Sequence, residues 1–309
     1  MKNKSFFERA YTVMEIRTGF ATGLPVLSGG LFGAYLAGHL KLIPLLLMFV
    51  TGFCLNIVAN VSNEIRAYLK NEENENTFTH HAGSEGLVRG DATFKDSIIV
   101  LLFFLGISGL SGITLVLITN NFNILAIGIL SVIAAVCYSL GPKPYIVYPV
   151  GELVSGLFVG AISTIVSAYL QTDVLNAPII IYSIIPMIMT IFLMSTNNTS
   201  DYEKDKGTRT TLPHVIGFRN SIKLIIPEAL LMLIAWTALY LIGGITLLMF
   251  ISGVVIFYYF GYIRWYKDYY QIQAPYKEMG REFGPRPLLL IYSFNLILST
   301  EFFIYLIQS

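Results

Sequence analysis

The sequence predicts an all-α, polytopic membrane bundle of about nine transmembrane helices, and three observations carry that expectation. Hydrophobic residues make up 55% of the 309-residue chain and charged residues only 13%, against roughly 25% charged in soluble domains. The apolar residues fall into runs long enough to cross a bilayer. The basic residues collect almost entirely on one side of those runs. The net charge of +1 gives no reason to expect a nucleic-acid partner. The two cysteines, Cys54 and Cys137, both lie in apolar runs, offer no disulfide framework and read as small buried hydrophobes.

Taken in order, the N-terminal stretch MKNKSFFERAYTVMEIRTG is basic but lacks a short apolar core followed by a small-residue cleavage site. Residues 1–18 therefore read as a cytoplasmic lead-in helix and not as a removable signal. The spanning runs are at roughly 19–38, 42–63, 97–118, 122–141, 150–170, 177–197, 222–242, 244–263 and 287–307. They form a single integral-membrane domain over 1–309. Gly156 and Gly160 sit at the spacing of a tight helix contact. With the N-terminus inside, Lys41 alone of the 20 Lys and Arg falls in an outer loop, so the positive-inside rule puts the N-terminus and the long loops 64–96, 199–221 and 264–286 in the cytoplasm. The candidate chemistry all faces that side. Transporters place their working groups near the midplane, open to both sides, so this distribution argues against one.

Two polar clusters stand where spans meet the cytoplasm. The sixth span runs into MSTNNTSDYEKDKGTRTTLP, which carries Asn197, Asn198, Asp201 and Asp205. Asp201 and Asp205 are four apart and share a helical face. Two carboxylates with amide oxygens a turn earlier make a hard-oxygen site suited to magnesium, and Lys206 and Arg209 add the charge to carry a phosphate-type anion. By itself the stretch also reads as a solvated loop of mixed charge. The second span ends in a matching cluster, Asn56, Asn60, Asn63 and Glu64. The two clusters end spans that are four apart and run the same way, which predicts two similar four-helix halves plus one helix, with a polar site between the halves. Converging acids there would bridge a diphosphate through magnesium ions.

Four stretches resemble a known family: the cluster Asn60, Asn63, Glu64; GSEGLVRG, ending at Arg89 and Gly90; YSLGPKPYIVYPVGELVSGLFVGA, from Tyr138 through Lys143 to Gly151 and Glu152; and NNTSDYEKDKGTRTTLP. Together they are similar to the UbiA superfamily of intramembrane aromatic prenyltransferases, within it to the branch acting on 1,4-dihydroxy-2-naphthoate in menaquinone biosynthesis. The resemblance covers nearly the whole chain. It implies a multi-pass cell-membrane enzyme that moves a polyprenyl group from polyprenyl diphosphate to a dihydroxynaphthoate-like acceptor, with Mg2+ as cofactor and membrane lipid as surroundings. Asn60, Asn63, Glu64, Asn197, Asp201 and Asp205 are then the metal set. Asp201, Asp205, Asn63 and Glu64 carry catalysis, and Arg17, Arg89, Tyr138, Lys143, Glu152, Lys206 and Arg209 bind substrate.

The chain also departs from the family pattern. Glu64 stands where the first motif has its first Asp, Ala67 and Asn71 occupy positions where acids are expected, and Thr18 replaces a proline after Arg17. Glu72, Glu73 and Glu75 follow closely enough to substitute from the loop. These departures leave open another acceptor, cyclisation without an acceptor, or a non-catalytic binder of isoprenoids or quinones. Aromatic faces at Tyr138 and Tyr145 could stabilise a cation, although tyrosines are also ordinary interfacial anchors. Glu228 and Glu301 are intramembrane acids outside any motif. His80, His81 and His214 lack metal-ligand spacing and read as solvated loop histidines. The loop RWYKDYYQIQAPYKEMGREFGPRP reads as a lid or as an interfacial segment.

Overall fold

The computed structural model of the protein describes residues 4–72, 85–260 and 262–308. Among these, nine helices are long and apolar enough to cross a membrane, and no strand occurs. They are Ile16–Ala37, Leu42–Lys70, Phe94–Thr119, Phe122–Ser139, Gly151–Thr172, Ala177–Ser200, Phe218–Leu241, Leu247–Gln271 and Met279–Gln308. Spans one to four pack consecutively, as do spans five to eight, and the ninth lies against the first, sixth and eighth. The two groups meet chiefly where the first span crosses the fifth. The expected division into two four-helix halves and one extra helix is the arrangement seen.

The contact between the halves is close because both partners are small there. A Cβ on Gly33 would lie 2.5 Å from the Ala168 carbonyl oxygen, and one on Gly29 would lie 2.8 Å from that of Thr164. The same device joins the fifth and sixth spans. A Cβ on Gly160 would meet the Met187 Cα and the Pro186 oxygen at 2.5 Å. Gly156–Ile162 is wound as a π-helix, a local widening that is frequent at functional sites.

The lead-in helix Phe6–Met14 begins with a capping box in which the Ser5 hydroxyl accepts from the Glu8 N–H. It is tied to the third span by Arg9, 2.9 Å from Asp96. Helix outlasts the apolar runs at the ends that carry the polar clusters. The second span continues seven residues beyond position 63 to Lys70, and the sixth continues to Ser200. Polar side chains there keep the helical hydrogen-bond ladder while turning one face to the site. Loop 264–286 also holds more structure than its composition implies: helix Tyr262–Gln271 enters it, Met279–Phe283 is helical, and Arg286 stacks over Phe283 at 4.4 Å.

Candidate active site

A cavity of about 750 Å³ opens between the two halves. Its polar end is built from the neighbouring ends of three spans. The second span supplies Asn60, Asn63 and Glu64; the sixth and the turn after it supply Asn197, Asn198, Asp201, Lys204, Asp205 and Arg209; the start of the first supplies Arg17 and Thr18. Gly280, Gly284 and Pro285 of the last inner loop form part of the wall, so that loop borders the site. The remainder is apolar, with Gly109, Gly112 and Val116 from the third span, Ile124, Gly128 and Val132 from the fourth, and Phe158 from the fifth. One charged end and one greasy body is the shape of an amphiphile.

Local hydrogen bonds set each polar side chain. The Asn60 amide nitrogen lies 2.6 Å from the Thr18 hydroxyl and within reach of the Met14 and Glu15 carbonyls and the Asn56 oxygen. Thr18, which replaces the expected proline, thus orients Asn60, leaving its amide oxygen as the atom with ligand character. Glu64 is buried and accepts from the Leu87 N–H at 3.3 Å. Ala67 lines the cavity with a methyl group where an acid was expected, and exposed Asn71 caps the helix with φ +50°. Arg209 reaches from the second motif to the first, with Nη2 3.5 Å from the Asn63 oxygen and 3.0 Å from Glu72.

Asp205 is nearly inaccessible, and burial pushes its carboxyl up to about 6. Arg209 opposes that rise and the like charge of Asp201 adds to it. Tyr138 lines the wall behind these acids.

Four of the expected substrate-binding residues do not form the cavity wall. Lys206 is exposed and lies 3.8 Å from Glu203, and Lys204 takes its place, 3.7 Å from Glu85. The turn after Ser200 puts Lys204 on the wall and leaves Lys206 outside it. Arg89 lies 3.5 Å from Asp91, and Lys143 is exposed on the turn after the fourth span. Glu152 stands behind the wall and holds Asn198 at 2.7 Å. Asn198 and Asn56, members of the two polar clusters without an assigned role, are wall residues, and so is Lys204, which the reading of the sequence did not put forward. His214 is no solvated loop histidine: its ring nitrogens are 2.9 Å from the Thr211 hydroxyl and the Tyr202 carbonyl, and it stacks on the Tyr202 ring. Glu73, Glu75, His80 and His81 lie outside the described residues.

Residues 24–282 match the profile of the UbiA prenyltransferase family. This chain belongs to that family. The 1,4-dihydroxy-2-naphthoate octaprenyltransferase of Bacillus subtilis is 27% identical over 206 residues, 66% of this chain and 65% of that one. The Haemophilus influenzae enzyme of the same name is 26% identical over 179 residues, 56% of this chain and 57% of that one. The matched stretches thus span under two thirds of these relatives. Solved UbiA homologs share the fold: one from Aeropyrum pernix K1 at TM-score 0.65 and 13% identity, covering 90% of this chain and 97% of that one. Another, from Archaeoglobus fulgidus, bound to GPP and Mg2+, superposes at TM-score 0.60 and 14% identity over 94% of this chain and 99% of that one.

In this UbiA chain, no group of three His, Cys, Asp or Glu among the described residues is placed to enclose a metal by itself. The donor set suits magnesium all the same. That ion takes one or two carboxylates and completes its octahedron with water and substrate phosphate. Asp205 and Asp201, whose charge raises the proton affinity of Asp205, with the Asn197 amide a turn before, are such a set.

Proposed function

We propose that this chain transfers a polyprenyl group from polyprenyl diphosphate to an aromatic acceptor, 1,4-dihydroxy-2-naphthoate in the first instance, with Mg2+, at a site facing the cytoplasm. The observation that carries the reading is the division of one cavity into a carboxylate- and guanidinium-lined end and an apolar body reaching between spans two, three, four and five. The Bacillus relative named for that reaction, and the GPP and Mg2+ bound by the Archaeoglobus homolog, support the acceptor, donor and ion. The one-sided basic residues support the orientation.

Asp201, Asp205 and Asn197, with Asn60, Asn63 and Glu64 opposite, are the residues to hold magnesium, which supplies the positive charge against which a diphosphate leaves. Arg209 and Lys204 donate charge-assisted hydrogen bonds to the same oxygens. Their placement before reaction is what lets them favour charge that develops as the allylic carbon–oxygen bond breaks. The electron pair of that bond goes to the diphosphate, and the allylic carbon takes a new bond from the electron-rich ring, whose carboxyl group departs as carbon dioxide. Tyr138 presents an aromatic face beside the cation. The apolar walls keep out water, which would otherwise quench it.

Diphosphate release by the purified protein in nanodiscs, with a series of prenyl diphosphates, tests the reading. Release that needs both magnesium and dihydroxynaphthoate is the expected result. Release without an acceptor would reassign the chain as a cyclase or hydrolase, and none from folded protein would make it a binder of isoprenoids.

A further inference from the structure

The second span ends at Lys70, and Asn71 adopts the left-handed conformation that Asn tolerates better than most residues. The Glu72 N–H then bonds back to the Ala67 carbonyl at 3.0 Å, which folds Glu72 under the helix end. Its carboxylate is 5% exposed and fully engaged. Oε1 lies 2.7 Å from Nη2 of Arg66. Oε2 accepts from Arg209, at 3.0 Å from Nη2 and 3.4 Å from Nε. Both guanidiniums are almost as buried as the acid. Of the three, Arg209 alone lines the cavity.

Carboxylate and phosphate oxygens ask for the same planar pair of N–H donors. An anion entering the polar end therefore meets an Arg209 whose Nε–Nη2 edge is already taken. If Glu72 lets go, it is not stranded, because Arg66 still holds its other oxygen. The exchange leaves no buried carboxylate without a partner, the condition under which breaking a buried pair is costly. From this geometry we infer that Glu72 is a built-in competitor for Arg209, which it occupies in the ligand-free protein and yields to the diphosphate, and that it thereby sets the affinity of the site for diphosphate. The inference rests on the prenyl-diphosphate reading above. It also separates Glu72 from the metal ligands that its place after the first cluster suggests, since both oxygens serve arginines.

The test is calorimetric binding of inorganic diphosphate, with magnesium present, to the full chain in nanodiscs. Glu72→Gln is expected to tighten binding about fivefold to tenfold, the scale of a charged contact at a binding site. Arg66→Gln is expected to weaken it, because Glu72 then has Arg209 as its only arginine. In an Arg209→Gln background, Glu72→Gln is expected to change affinity less than about twofold, since the coupling between contacting residues is gone. Weaker or unchanged binding in a folded Glu72→Gln variant would overturn the inference and leave the prenyltransferase reading standing. Equal tightening in the Arg209→Gln background would overturn it in favour of a long-range charge effect. Should Glu72→Gln fail to fold, unchanged affinity in Arg66→Gln overturns it equally. Wild-type protein that binds no diphosphate with magnesium would remove the donor reading, and the competitor role with it.

Discussion

The amide nitrogen of Asn198 lies 2.7 Å from Oε1 of Glu152, and this bond ties the C-terminal end of the sixth span to the start of the fifth. Glu152 is 2% exposed and its Oε2 has no hydrogen-bond partner. Accepting through Oε1, the acid fixes which end of the Asn198 amide faces it and turns the carbonyl oxygen away. Glu152→Gln can pair with either end of that amide, so it should lower the turnover number about tenfold or more with little change in melting temperature. Asn198→Ala leaves a buried carboxyl with neither oxygen bonded, at a cost of roughly 1–3 kcal/mol, and should lower the melting temperature as well. Equal loss of stability in both variants would assign the pair to structure alone.

Asp201→Ala and Asp205→Ala should each cut diphosphate release by about a hundredfold or more, the scale of losing a preorganised charge in a site of this kind. The lysines give a sharper contrast. Lys204→Ala should raise the KM for prenyl diphosphate several-fold, whereas Lys206→Ala, at an exposed side chain paired with Glu203, should leave rates within about twofold, because surface pairs contribute little. The reverse ranking would mean that the 201–209 turn closes differently around substrate.

Asp205 gives the site a dependence on pH. Its carboxyl, pushed up from 3.8 to about 6, holds a proton that the unfolded chain releases near pH 4. That difference favours the folded state in acid and is withdrawn as pH rises through about 6. Without magnesium, the melting temperature should therefore fall between about pH 4 and pH 6.5, and with magnesium it should fall less, because the ion takes the place of the proton. Magnesium affinity should drop up to tenfold per unit below about pH 6. In Asp205→Asn both dependences should flatten, and melting curves against pH with and without the ion would show whether they do.

A glycine at a helix contact and glycines on the cavity wall should behave differently. At Gly160 a methyl group would press on Met187 Cα and the Pro186 carbonyl at 2.5 Å, backbone atoms that cannot move aside. Gly160→Ala should thus lower thermal stability in detergent by about 1–3 kcal/mol. Gly109 and Gly128 line the cavity and have no atom within 4 Å of a built Cβ. Gly109→Leu and Gly128→Leu should fold normally and lose activity with long prenyl diphosphates while keeping it with short ones. Equal loss across the series would show that the tail lies elsewhere.

Within the site, the sequence revealed what local spacing controls. Asn60, Asn63 and Glu64 fall on a helix face that the 3.6-residue period dictates, Asn197 lies in the last turn of a second helix with Asp201 as its cap and Asp205 on the turn beyond, and the structure brings all six to one cavity. Lys206, Arg89 and Lys143 lie off the cavity wall, and each sits on a turn or loop, whose course no helical period sets.

The sequence by itself determined the class of the protein, its nine spans and the ends at which they carry polar residues. Those follow from the cost of placing an unpaired polar group in hydrocarbon, a cost that each residue bears wherever its neighbours lie. Tertiary structure alone decided what meets what. Glu72 could serve a metal or an arginine by its place in the chain, and only the turn at Asn71, together with the approach of the second motif to the first, gave it to Arg66 and Arg209. Contacts between residues more than a hundred positions apart depend on how helix faces pack, and packing is a property of pairs of surfaces that no single segment encodes.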